Sequence, residues 1–173
     1  MKKIIFILML LPLTVLAQKQ EVYLNLNDAA GMQIKGDAVK RGFERSIYIL
    51  SFSSGGKNNS QLSFNMNVIG ASADLKRAMS NGLLLQNAIL TVTDPNMAVQ
   101  NILYTIKMEG ITVKSCTEAM GCNAAINSTA VVTAARMGWT YYQQDGTGKL
   151  IVSRKYGYDN EAGKEWTNFY YYK

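Results

Sequence analysis

A mainly β fold, a barrel or sandwich with one short helix on its flank, is what this sequence predicts, and three observations carry it. Seven or eight runs of alternating or β-branched apolar residues are separated by turns rich in Gly, Asn, Asp and Ser. Helical spacing is convincing in one segment only, Ser72–Ser80. No internal repeat and no long linker divides the chain, so one domain is expected.

The first residues read as an address rather than as structure. Lys2 and Lys3 form a basic start, Ile4–Val15 is an apolar run, and Val15-Leu16-Ala17 offers a cleavage site. That run is short of the roughly 20 residues a membrane helix needs. Residues 1–17 are therefore expected to be a signal peptide, and 18–173 the mature domain. The mature protein is expected to be exported, either periplasmic or secreted, with no stable membrane insertion.

Glu21–Asn27 alternates, with Val22, Leu24 and Leu26 on one side: a half-buried strand. Met32–Gly36 is expected as a short strand and Asp37–Glu44 as a polar, charged loop. Arg45–Ser53 has apolar residues on both faces and is expected to be central or covered on both sides. Gln61–Ile69 alternates most cleanly, with Leu62, Phe64, Met66 and Val68 against Ser63, Asn65 and Asn67. A whole face of Asn and Ser suits a wetted surface, either an outer wall or the lining of a wide pore.

Ser72 is the expected N-cap of the helix. Leu75, Ala78 and Met79 form its apolar face, and Asn81-Gly82 its stop. Leu85–Thr93 is the next strand. In Asn101–Ser115 the apolar phase slips by one residue at Glu109-Gly110, the signature of a bulge, a bend or a tight hairpin. A polar loop then holds Cys116 and Cys122. In an exported chain an even cysteine count suggests a disulfide between them, two free thiols being the alternative. Ser128–Tyr142 and Lys149–Ser153 complete the strands, and Arg154–Lys173 is polar with aromatic patches.

Composition excludes several functions. Histidine is absent, which removes His-based triads and the commonest metal ligand. Asp145, Asp159, Glu161 and Glu165 cluster late in the chain, but no base, nucleophile or metal ligand joins them. No enzyme, cofactor or metal is expected. Of 18 Lys and Arg, two lie in the signal; the other sixteen face 12 Asp and Glu. No basic stripe with interleaved aromatics is present, so no nucleic-acid partner is expected.

Four stretches, in order, resemble the haemolysin-coregulated protein (Hcp) family, the tube subunits of type VI secretion systems. Ile34-Lys35-Gly36-Asp37 with Gly42-Phe43-Glu44 is similar to the family's start and its extended loop. Ile47–Ser53 with Gly55 resembles its IxVLSFSxG strand. Ser72–Gly82 followed by Ala88–Thr91 resembles its single helix and the strand after it. Gly157-Tyr158-Asp159 with Gly163-Lys164 is similar to its GWDxxxNK element, with Tyr158 in the Trp place and Gly163 in the Asn place.

The resemblance implies an Hcp-like β-barrel of two packed antiparallel sheets with one flanking helix. It implies homo-hexameric rings that stack into a tube and carry secreted effector proteins. Lys40, Arg41, Phe43, Glu44 and Arg45 are then the expected subunit contacts, and Asn65 and Asn67 the expected channel lining. Family subunits carry no cleaved signal, so export by this chain would be a departure. The aromatic tail Phe169–Lys173 runs past the family's usual end; it is expected to cover a barrel edge or touch a neighbour. A second reading is a monomeric secreted barrel that binds a small ligand or a surface glycan through Trp139, Tyr141, Tyr142, Tyr158 and Trp166.

Overall fold

A computed structural model describes residues 20–55, 60–95, 101–120 and 126–169. The expected signal peptide, Cys122 and the last four residues lie outside them. Eight strands and one helix follow in the order β1 Glu21–Leu26, β2 Ile47–Gly55, β3 Gln61–Asn67, α1 Gly70–Ser80, β4 Leu84–Asp94, β5 Asn101–Met120, β6 Ile126–Gln144, β7 Leu150–Asp159 and β8 Lys164–Glu165.

All pairings are antiparallel. The sheet order is β3-β2-β1-β4-β5-β6-β7-β8, and a further β3–β6 pairing closes the first six strands into a barrel. The two expected sheets are thus two meanders, β1-β2-β3 and β4 to β8, joined along both edges. Strand β6 forks. Its first half, Asn127–Thr133, lies beside β3, and its second, Arg136–Gln144, beside β7. The second half carries β7 and β8 beyond the closed barrel as an arm.

The alternating residues fill the barrel. Leu24, Leu26, Ile47, Leu62, Phe64, Met66, Leu90, Ile106, Met108 and Ile111 are each at most 2% exposed. Each such side chain contributes about 1.5–3 kcal/mol of burial. Arg45–Ser53 is central, β2 lying between β3 and β1, but it is not covered on both faces: Leu50, on the face opposite Ile47 and Ile49, is 46% exposed. Met32–Gly36 is not a strand but holds one bridge, Asn27 to Gln33.

The phase slip at Gly110 is a bend that crosses three strands. Buried positions step from Leu85 to Ala88, from Met108 to Ile111 and from Ala134 to Met137. Pairing continues across the step, with Leu85 opposite Ile111 and Asn87 opposite Glu109, then Glu109 opposite Arg136 and Ile111 opposite Ala134. The whole sheet turns a corner there, and no strand gains a residue. Gly110 sits at the corner with φ +62°, and a Cβ on it would stand 2.9 Å from that of Ala135.

The helix starts two residues before the expected cap. Ile69 is the N-cap, and Ser72, at the third helical position, accepts from the Ile69 N–H at 3.3 Å. The stop is as expected: Gly82 has φ +60°, its N–H reaches Met79 O at 3.3 Å, and that of Leu83 reaches Ala78 O at 2.9 Å, a Schellman cap. Ala71, Ser72, Leu75 and Ala78 are the buried face, whereas Met79 is 36% exposed. The helix lies against β5, where Lys76 pairs with Glu118 at 2.6 Å.

Candidate functional site

Two expected features change where β5 and β7 prove longer than the sequence suggested. Strand β5 runs through Cys116 to Met120, so Cys116 is not in a loop. Its thiol is free and buried, with Sγ 3.5 Å from Ser128 Oγ and 3.9 Å from Ser72 O. Among the described residues Cys116 forms no disulfide, and Cys122, its expected partner, lies outside them. Strand β7 continues to Asp159, past the expected strand end at Ser153.

Asn65 lies in a largely polar wall on the outside of the barrel, with Lys114 exposed at the β5 register shift beside it. Residues that pair directly share a face. Ser51, Asn65, Thr129 and Thr117 form one row across β2, β3, β6 and β5; Ser53, Ser63, Val131 and Ser115 form the next; Gln61, Thr133 and Thr112 the third. Asn65 ties the first row together across three strands, donating to Ser51 Oγ at 2.7 Å and accepting from Thr129 Oγ1. Asn67 is exposed at the wall's end and donates to Asp37 Oδ2 at 3.3 Å.

The charged loop is folded onto its own barrel. Phe43 stacks on Tyr23 with ring centroids 4.4 Å apart. Lys40 pairs with Glu21 and stands 5.8 Å over the Tyr23 ring. Tyr23 donates to Glu21 Oε2 at 3.0 Å, and burial, then that bond and charge, push its hydroxyl pKa up. Arg45 adopts φ +64°, unusual for a side chain of its size, so that its N–H reaches Ala38 O and its carbonyl accepts from Gly36. Phe43 and Lys40 are thus engaged within the chain; Arg41, Glu44 and Arg45 are exposed, with Glu44 Oε2 accepting from the Gly42 N–H at 2.8 Å.

Only part of the expected aromatic group comes together. Trp139 and Tyr141 meet Tyr156, which the sequence reading had not singled out, and with Ser54 line an open groove of about 250 Å³. Trp166 sits on the opposite face of the arm, 5.0 Å from Phe169 and 5.5 Å below Lys107 Nζ. Phe169, of the aromatic tail, covers the outer face of β6 and β7 at 4% exposure. Tyr158 packs beside Met137, and Tyr142 opposes Val152.

The late carboxylates hold turns. Asp145 accepts from the N–H groups of Thr147 and Lys149 and from the Thr147 hydroxyl, which hold its carboxyl below the usual range. Asp159 accepts from the N–H groups of Ala162 and Glu161, and from Arg136 Nε at 2.9 Å. Arg136 in turn reaches Glu109 at 3.5 Å. The Ala162 N–H is the largest influence lowering the Asp159 pKa, with Arg136 adding to it. Glu161 and Glu165 are exposed. No group of three or more metal-ligating side chains is found among the described residues.

A depressed carboxyl pKa stabilises the fold above the unfolded value, about 3.9, and that contribution is lost as pH falls through the folded value. The melting temperature is expected to drop as pH is lowered below about 4. Asp159→Asn is expected to start lower at pH 7 and to lose less on acidification. Thermal melts at pH 7, 5 and 3 check this; parallel losses in the two proteins would show that Asp159 does not carry the acid sensitivity.

No protein-family model matches this chain, and no curated protein matches it in sequence. Solved structures do. A type six secretion system protein superposes with a TM-score of 0.72 at 18% identity, over 86% of this chain and 100% of that one. Hcp1 from Salmonella typhimurium gives 0.70 at 18% identity, covering 85% and 99%. Secreted protein Hcp3 from Pseudomonas aeruginosa gives 0.64 at 16% identity, covering 82% and 98%. The chain has the Hcp fold, along nearly the full length of each of these proteins.

Proposed function

We propose that residues 18–173 form an exported Hcp-like structural protein whose six copies close into a ring, and whose rings stack into a tube that carries effector proteins. The observation that carries this reading is the largely polar wall centred on Asn65, with Lys114 as the exposed cation beside its rows, on a barrel of the Hcp fold. A channel for varied cargo needs a wetted surface, and rows of hydroxyls and amides supply one. Asn65 and Asn67 are then lumenal.

Ring closure needs a heterologous contact, in which one patch meets a different patch on the next copy. The loop Lys40–Arg45 supplies one side: Lys40 and Phe43 fix it to its own barrel, and Arg41, Glu44 and Arg45 face outward. The expected signal peptide would send the subunit across the membrane, so the ring acts in the periplasm or outside the cell. The part it plays is structural, with no reaction assigned to it.

Light scattering on a sizing column, with negative-stain images of the peak, tests the reading on residues 18–173. A mass of six subunits and ring-shaped particles are expected. Arg41→Glu combined with Arg45→Glu is expected to shift the population at least tenfold toward smaller species, a change of about 1.4 kcal/mol per step of ten. A monomer at micromolar concentration in wild type would overturn it.

A further inference from the structure

We propose that the groove between Tyr141 and Tyr156 binds an anionic saccharide, a carboxylated sugar lying on the tyrosine rings with its acid group on Arg154. The site follows from the fork in β6. Past Ala134 this strand leaves β3 and takes up β7, and from the first meander it is Ser54, near the end of β2, that lines the groove with the inward face of the arm. Trp139 opposes Tyr156 and Tyr141 opposes Arg154, and directly paired residues point to the same face. Arg154 is therefore on the same face as all three aromatic rings.

These rings are exposed yet fixed. Tyr141 is 47% and Tyr156 46% exposed, far above the core aromatics. Trp139 stacks with Tyr156 at 6.0 Å and 23°, and Tyr104 with Tyr141 at 5.5 Å and 30°. A platform already held by stacking loses little side-chain freedom when a ligand settles on it. The groove, about 250 Å³, is smaller than the roughly 300–1,000 Å³ of drug-sized pockets. It suits one sugar unit lying flat, with neighbouring units running out to solvent.

The chemistry of the lining selects the ligand. The Ser54 and tyrosine hydroxyls suit a polyol, and among the described residues no acidic side chain lines the groove. The exposed guanidinium of Arg154 matches a carboxylate with two parallel hydrogen bonds. The larger groove beside the helix, by contrast, mixes Asp28 and Asp74 with Lys35 and Arg77. Its carboxylates are engaged already, Asp28 by Ala30 and Met32 and Asp74 by Arg77.

The test uses residues 18–173, a galacturonic acid trisaccharide and the neutral galactose trisaccharide, by calorimetry at low salt. The acidic probe is expected to bind saturably and at least tenfold more tightly than the neutral one. Tyr156→Ala is expected to weaken both at least tenfold, Tyr156→Phe to stay within threefold, and Arg154→Gln to erase the preference for acid. Circular dichroism checks that each variant is folded. The site is wrong if neither probe binds at millimolar concentration, or if Tyr156→Ala or Arg154→Gln leaves binding unchanged. It is also wrong if these variants change the assembly mass of a protein that binds no probe, since the face would then be a subunit contact. The outcome does not depend on the ring: a monomer that binds the acidic probe overturns the tube alone.

Discussion

Gly36→Ala is expected to cost about 3 kcal/mol, the upper end of what overpacking does. A Cβ on Gly36 would stand 2.3 Å from Ser46 O and 2.4 Å from Ile47 Cα and N. All three atoms are backbone, so no side chain can rotate out of the way. Two chain segments are laced together here: Gly36 N–H donates to Arg45 O at 2.7 Å and Ala38 N–H to Ser46 O at 2.9 Å. Ile47, which would have to move, is fully buried. The methyl group therefore pushes either the charged loop off the barrel or β2 out of place. Urea unfolding checks this: the midpoint is expected to fall at unchanged slope. Phe43→Ala, which removes only the stack on Tyr23, is the milder comparison; aromatic pairs contribute about 0.5–1.5 kcal/mol beyond their burial. A Gly36→Ala loss below that range would show that the two segments can part freely.

Gly138→Ala is expected to cost about 2–3 kcal/mol, in the range of overpacking, and nearly nothing once Phe169 is removed. Gly138 and Gly157 oppose each other on β6 and β7 and leave a slot in the outer face of the arm. The ring of Phe169 fills it. A Cβ on Gly138 would meet three atoms of that ring at 2.6–2.7 Å, and one on Gly157 would meet the ring at 2.4 Å and Trp166 O at 2.5 Å. Phe169→Ala alone removes a buried aromatic side chain, at about 3 kcal/mol or more. Contacting residues do not add, so the double variant Gly138→Ala/Phe169→Ala is expected to match Phe169→Ala alone. Equal Gly138→Ala losses in both backgrounds would mean that the ring does not set the need for glycine. Gly157→Ala is the less clean probe, because Trp166 O stays in its way.

The sequence carried the barrel well, and for a definite reason. Alternation in Glu21–Asn27 and Gln61–Ile69 reports one buried face, and a strand slipped by one residue would expose that whole face. The helix stop at Asn81-Gly82 is equally local. What could not be read depends on partners distant in the chain. Cys116 sits among small and polar residues, and only the pairing of β5 with β6 shows that its side chain points inward. Phe43 stacks on a tyrosine of β1, and no pattern within the loop indicates that ring. Tyr156 looked like one more residue of a polar tail until β7 placed it opposite Trp139. The slip at Gly110 was visible in one strand, but its meaning as a corner required the two neighbours that share it.

The two meanders also fix an order of events in time. Every strand pairs with its neighbour in sequence except at two seams, β1 with β4 and β3 with β6. Across these, Thr93 meets Glu21 72 residues away, and Thr129 meets Asn65 64 residues away. Local hairpins form within microseconds, whereas distant pairings wait on loop closure. Until both seams close, β1, β3, β4 and the first half of β6 are open edges, each able to pair with another chain. A newly made chain would thus be most vulnerable to aggregation with its hairpins already made and its barrel still open. Helix α1, which joins the two halves, sets how far apart they can drift.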